Sequence, residues 1–160
     1  MPPPLSTPYV EVEETVRIAP AVPTAPDPEL VESANQTHRR VQNGLFQRAT
    51  ARGYHCFRPG AGEPDFDVAW RTSAGRLVVA EVKSITAANE RHQLRAGLGQ
   101  VLKYRHRLRR LHAGDVVAVI VLPGPPLDPM WAAITAPLGV TLTWPPDYPN
   151  LAELETRAVV

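Results

Sequence analysis

Apolar positions recur with two different periods along this chain, and each change of period marks a new element. From Asp27 the spacing is helical: Leu30, Ala34, Val41, Leu45 and Ala49 share one face. Asp27 is a good N-cap, Pro28 suits the first helical position, and Gly53 suits the residue past the end, so a helix is predicted up to Arg52. Tyr54–Arg58 reads as a short strand and residues 59–64 as a Gly/Pro loop. Two apolar runs follow, Pro64–Trp70 and Arg76–Lys83, on either side of a polar turn ending in Gly75, which is a hairpin signal. Ser84–Glu90 leads into a long helix whose stripe is Leu94, Leu98, Val101, Leu102, Leu108 and Leu111. Within it, Gly97 and Gly99 each weaken the helix by about 1 kcal/mol relative to Ala, so close approach to the sheet or to a phosphate backbone is expected there. Asp115–Leu122 is almost entirely apolar and β-branched, as a strand buried on both faces would be. Pro129–Leu138 predicts a short helix with Trp131 in the core, Val140–Trp144 a last strand, and 147–160 a short helix.

Composition changes this picture at one end. Residues 1–26 hold seven of the 18 prolines, so they complete neither helices nor central strands and read as a largely disordered arm. Only Tyr9–Glu13, with its alternating pattern, could add as an edge strand or dock on a partner. At 160 residues the whole chain is one domain by length. A single cysteine, Cys56, cannot form an internal disulfide, and neither a secretory leader nor a membrane-length apolar run stands out; cytoplasmic localisation and no membrane partner are expected. There is no P-loop, no dinucleotide glycine fingerprint, no Cys-x-x-Cys pair and no internal repeat.

Charge is uneven. Residues 1–32 carry six acids against Arg17, which leaves +6 on the rest for a total of +1. Seven Lys/Arg and no acid lie between Arg91 and Arg110: Arg91, Arg95, Lys103, Arg105, Arg107, Arg109 and Arg110. Phosphate contacts of this kind give affinity without reading sequence, and DNA is the expected partner.

The candidate chemistry lies in the hairpin just before that basic stretch. Side chains two apart on a strand share a face, roughly 6–7 Å apart. On that rule Asp65 and Asp67 point one way along the first strand, and Glu81 and Lys83 share a face of the second. A carboxylate from each strand with a neighbouring lysine suits metal-assisted phosphodiester cleavage. Carboxylate oxygens hold Mg²⁺, and the lysine steadies the attacking water or the developing charge. Glu63 has the parity of Asp65 but precedes the strand. Gln42 and Asn43 are polar in mid-helix, on the surface or near the site.

Pro64-Asp65 followed by Glu81-Val82-Lys83 resembles the motif of the PD-(D/E)XK nuclease superfamily. Gln100-x-x-x-Tyr104, one helical turn apart on the next helix, resembles the motif of its RecB-like and lambda-exonuclease-like branch, as does His38 on the first helix. The resemblance covers residues 27–122 and implies a three-layer α/β restriction-endonuclease-like core, α-β-β-β-α-β with a mixed sheet, here with a helix-strand extension. The resemblance leaves the arm and the extension unexplained, and with it the chain divides into an arm (1–26), a nuclease domain (27–146) and a C-terminal tail (147–160). It further implies a Mg²⁺- or Mn²⁺-dependent deoxyribonuclease whose products carry a 5′ phosphate. Asp65, Glu81 and the Val82 carbonyl would hold the metal, Lys83 would assist the water, Gln100 and Tyr104 would position the phosphate, and His38 would border the site. Asp65 and Asp67 remain alternatives for the first-strand ligand. Specificity would then come from loops, the arm, a homodimer or a partner protein. A non-catalytic nucleic-acid-binding module on the same fold is the alternative from another class, and a protein acting by protein contact alone is a third.

Overall fold

The computed structural model describes residues 27–156. The expected arm, with Tyr9–Glu13, and residues 157–160 lie outside the described residues. The elements are α1 (Pro28–Ala51), β1 (Cys56–Phe57), β2 (Val68–Arg71), β3 (Leu77–Val82), α2 (Glu90–Leu111), β4 (Val116–Val121), α3 (Met130–Thr135), a single 3₁₀ turn (Ala136–Leu138), β5 (Val140–Thr143) and α4 (Leu151–Thr156). The strands form one five-stranded sheet in the order β1-β2-β3-β4-β5. β1, β2 and β3 pair antiparallel, and β3, β4 and β5 pair parallel. This is the mixed α/β sheet with the α-β-β-β-α-β core expected above.

Strand parity sorts the core into two layers. Leu77 and Val79 of β3, with Ala118 and Ile120 of β4, pack against Leu94, Val101, Tyr104 and Leu108 of α2 and Trp131 of α3. Val78, Ala80 and Val82, with Val119 and Val121, pack against Val41, Leu45 and Ala49 of α1 and Leu151 of α4. Helices therefore cover both faces of the sheet, which is why β3 and β4 are buried at every position.

The expected face of α1 is too long. Leu30 is 70% exposed and Ala34 is exposed, because burial begins only at Val41. The N-cap is as anticipated, with Asp27 accepting from the Glu29 N–H at 2.9 Å. On α2 the buried stripe runs through Glu90, Leu94, Gly97, Val101, Tyr104 and Leu108, while Leu111 is 53% exposed. Buried Glu90 closes the approach to α3, accepting from the N–H groups of Leu127 (2.7 Å) and Asp128 (3.1 Å).

The segment expected as a C-terminal tail joins the α1 layer. Leu151 is fully buried, and buried Glu155 accepts from Arg48 (2.6 Å) and Arg52 (3.2 Å). In the same layer the Tyr148 hydroxyl presses on α1. A Cβ added at Gly44 would lie 3.0 Å from it, so this mid-helix position admits no larger residue without a shift.

Removing one partner of a buried ion pair strands the other charge, at a cost of about 3–5 kcal/mol, whereas an exposed pair contributes about 1 kcal/mol or less. Arg48 is 13% exposed and Arg52 is 50% exposed. Glu155→Ala is therefore expected to lower the unfolding free energy by about 3–5 kcal/mol, and Arg52→Ala by about 1 kcal/mol or less. Urea denaturation of the two variants checks the ranking.

Candidate active site

The β2–β3 hairpin and the adjoining face of α2 bring most of the chemical residues together. Gly75, at φ 82°, and the Gly75 N–H bond to the Thr72 carbonyl (2.9 Å) close the turn. The register pairs Val68 with Ala80, so continuing the ladder by one residue sets Asp67 opposite Glu81. The Asp67 N–H bonds the Ala80 carbonyl at 3.1 Å, one position off the regular ladder, so strand pairing ends here, yet the Asp67 charge still acts on Glu81.

The shared face expected for Asp65 and Asp67 is not observed. The strand starts only at Val68, and the Phe66 N–H folds back to the Pro64 carbonyl at 2.9 Å. Pro64 fixes φ and lacks an N–H, and Phe66 is drawn into the α2-side core, so alternation is lost before Asp67. Asp65 is left exposed at the rim of a cleft of about 340 Å³, together with Glu63, Glu81, Gln100, Lys103, Tyr104 and Arg107.

Asp67 is held from three directions. Its Oδ2 accepts from the Val82 N–H at 2.8 Å and lies 3.3 Å from His38 Nε2. Its backbone carbonyl accepts from Gln42 Nε2 at 3.3 Å. Both carboxylate contacts fall on Oδ2, which leaves Oδ1 for a further partner. The Val82 side chain is fully buried on the α1 side, and its backbone N–H is turned toward Asp67.

Glu81 is the buried acid of the site, at 5% exposure. Its Oε1 pairs with Lys83 Nζ at 3.1 Å, and its Oε2 is buried with no hydrogen-bond partner. Burial, and then the Asp67 charge, raise the Glu81 pKa above the ordinary glutamate range. Lys83 and the nearby Tyr104 hydroxyl pull the other way without reversing the shift. Lys83 can lie here because Gly97 of α2 has no side chain. A Cβ at Gly97 would sit 3.1 Å from Lys83 Cγ, whereas Gly99 has open space. The close approach expected at these glycines thus occurs at Gly97, against a side chain.

On the same turns of α2, Gln100 Nε2 reaches the Tyr104 hydroxyl at 3.5 Å, and Gln100 Oε1 is buried without a partner. The Tyr104 pKa is raised by burial first and then by Glu81, so the phenol stays protonated and acts as a donor. Lys103 and Arg107 line the cleft, and Arg107 also donates to the Gly62 carbonyl at 3.1 Å. The other basic residues do not gather here. Arg105 donates to the carbonyls of Leu138 (2.9 Å) and Gly139 (3.2 Å), and Arg109 to the Val116 carbonyl (3.3 Å). Arg91, Arg95 and Arg110 are exposed elsewhere on α2. Glu63 pairs with His112 at 2.8 Å, at the far end of that helix.

Among the described residues no three His, Cys, Asp or Glu side chains converge as a metal cage. The available donor set is two carboxylates, each with one oxygen unclaimed. That suits a cation such as Mg²⁺, which is commonly held by one or two carboxylates while water or substrate oxygens complete its shell.

Among solved structures, a repair endonuclease from Pyrococcus abyssi is similar to this chain at 18% identity and a TM-score of 0.46. The match covers 77% of this chain and 50% of that one, so the chain spans about half the length of that protein. No protein-family model matches the chain, and no curated protein does.

The raised Glu81 pKa has a stability consequence whose sign is fixed. Between the unfolded and folded pKa values the native state binds the extra proton, so stability falls as pH rises through that window. Glu81→Gln, which cannot ionise, is therefore expected to be more stable than the wild type at neutral pH in chelator. The difference should vanish once pH drops below the ordinary glutamate range, and thermal melts across pH check it.

Proposed function

We propose that this chain is a divalent-metal-dependent nuclease that hydrolyses DNA phosphodiester bonds. The observation that carries the reading is the buried, unpartnered Oε2 of Glu81, a residue that lines the cleft, with the Asp67 charge and the Lys83 ammonium beside it. A buried carboxylate oxygen without a partner is costly, and a second negative charge nearby makes it more so. Such an arrangement is retained where a cation completes it.

In this reading Asp67 and Glu81 hold Mg²⁺ or Mn²⁺. Asp67 takes the first-strand role because it faces Glu81, while Asp65 lies at the rim and can meet the metal's water shell or the substrate. When bound, the ion polarises the phosphate and lowers the pKa of a coordinated water. The Val82 N–H and His38 position the Asp67 carboxylate. The Val82 carbonyl is a candidate for a further oxygen ligand. Lys83, held across Gly97, donates toward the attacking water or the charge developing on phosphorus-bound oxygen. Gln100 and the protonated Tyr104 supply a neutral amide and a hydroxyl for orienting the phosphate. Lys103 and Arg107 neutralise flanking phosphates on the same cleft. Arg105 and Arg109 have structural roles in this reading, since their guanidinium groups brace the carbonyls of other elements.

Cleavage of linear and circular DNA with Mg²⁺ or Mn²⁺, and its absence in chelator, tests the reading. Binding of DNA without cleavage in either metal would instead favour a non-catalytic binding module. Asp67→Asn, Glu81→Gln and Lys83→Met are each expected to slow cleavage at least about 100-fold. Asp65→Asn is expected to cost less than Asp67→Asn; the reverse ranking would return the ligand role to Asp65. Lys103→Ala with Arg107→Ala should flatten the slope of log affinity against log salt by about 2, one unit per lost phosphate contact.

A further inference from the structure

Beside the cleft, on the α1 side of Asp67, lies a second groove of about 370 Å³. Its walls include Gln42, Asn43 and Phe46 of α1, Phe57 of β1, Arg58, and Asp67 itself. Of the chain's three phenylalanines only Phe66 lies in the core; Phe46 is 49% exposed and Phe57 is 44% exposed. Phe46 belongs to neither core cluster, and Phe57, paired with Ala69 at the sheet edge, also borders a neighbouring pocket with Phe66, Ala69 and Leu108. His55 meets Phe57 in a T-shaped contact, with centroids 5.3 Å apart and planes at 70°, which fixes the orientation of the ring. Cys56 and Val68 add apolar lining, while Asn43 and Arg58, both exposed, supply polar groups. Gln42, bonded to the Asp67 carbonyl, joins this groove to the candidate metal site.

We infer that this groove receives an unpaired nucleobase, stacked on Phe46 or Phe57, next to the phosphate to be cleaved. The inference rests on the nuclease reading and narrows its substrate to DNA that is single-stranded at the site, such as a free strand, an overhang or a flap. Three features point to a base. Aromatic faces offer stacking to any nucleobase, and a base exposes its own face only when it has left the duplex. The groove falls within the ~300–1,000 Å³ typical of small-ligand pockets, and a nucleoside fits that scale. Asn43 supplies hydrogen bonds to base edges, while Arg58 suits the adjoining phosphate. Because Asp67 borders both the groove and the candidate metal site, a base seated here would bring its own phosphate to the carboxylates.

The test uses the full chain in chelator, so that no cleavage occurs. The probes are a short single-stranded oligonucleotide carrying 2-aminopurine, its blunt duplex, and the duplex with a single-stranded flap. Phe46→Ala and Phe57→Ala are made separately, with Phe57→Leu to keep apolar bulk but remove the stacking face; melting curves confirm that each variant is folded. The expected result is tighter binding of the single strand and flap than of the blunt duplex. 2-Aminopurine fluorescence should be quenched on binding. At least one alanine variant should bind the single strand about 5- to 100-fold more weakly, the range of one lost base–aromatic stack, with duplex affinity little changed. If Phe57→Ala shows that loss, Phe57→Leu should show most of it. Wild-type preference for the blunt duplex, equal losses on both probes, or unchanged single-strand affinity in both alanine variants overturns the inference. If those variants are silent while Lys103→Ala with Arg107→Ala weakens binding, this inference falls and the nuclease reading stands. If the wild type binds none of the probes, this inference falls, and the nuclease reading is decided by the cleavage assay in Mg²⁺ or Mn²⁺.

Discussion

The site depends on one electrostatic constraint: a glutamate charge is buried at the end of a central strand with only half of its oxygen capacity satisfied. Glu81 sits one residue from the end of β3, beneath α2, with Lys83 on one oxygen and nothing on the other. An apolar residue there would pack with Leu77 and Val79 at no such cost. The surrounding structure maintains the charge through specific exceptions. Gly97 in the middle of α2 makes room for the lysine, and the Val82 N–H is given to Asp67 rather than to a neighbouring strand. These features weaken the local fold slightly, and each serves the arrangement of charges.

The sheet order explains why these residues meet. β3 lies between antiparallel β2 and parallel β4, so the hairpin sets Asp67 opposite Glu81 while the crossover to β4 lays α2 over the same end. Three separate stretches of chain thereby converge without a long loop. The other layer is tied down by different means, an ion pair between α1 and α4 and the close fit of Tyr148 on Gly44.

Much of the fold was legible because periodicity reports burial. The continuous β-branched run before Leu122 could only be a strand covered on both faces, and the Asp27-Pro28 start of α1 has a local chemical cause. Glu81 and Lys83 were readable as neighbours because they lie two apart on a regular strand. The shared face of Asp65 and Asp67 fails for the complementary reason: parity holds only where the strand is regular, and the Pro64 turn removes that regularity before Asp67. Leu30 shares the helical face of Val41 and Leu45 yet lies in solvent, because a helical face says nothing of how far the sheet beneath it extends. Arg105 reaches carbonyls 33 and 34 residues away and Arg109 one that is seven residues on, past the end of its helix, and no periodic pattern encodes either contact. Glu90 and Glu155 carried no signal beyond their charge, yet both are buried.

The contact between Gly44 and Tyr148 couples what each of the two positions tolerates. With the tyrosine hydroxyl in place, alanine at position 44 meets an oxygen at 3.0 Å, although alanine favours a helix. With phenylalanine at position 148 that oxygen is gone, and the same alanine becomes acceptable. Alanine at position 44 therefore costs more while the tyrosine hydroxyl is in place than after it is removed, so the effects of the two substitutions depend on each other.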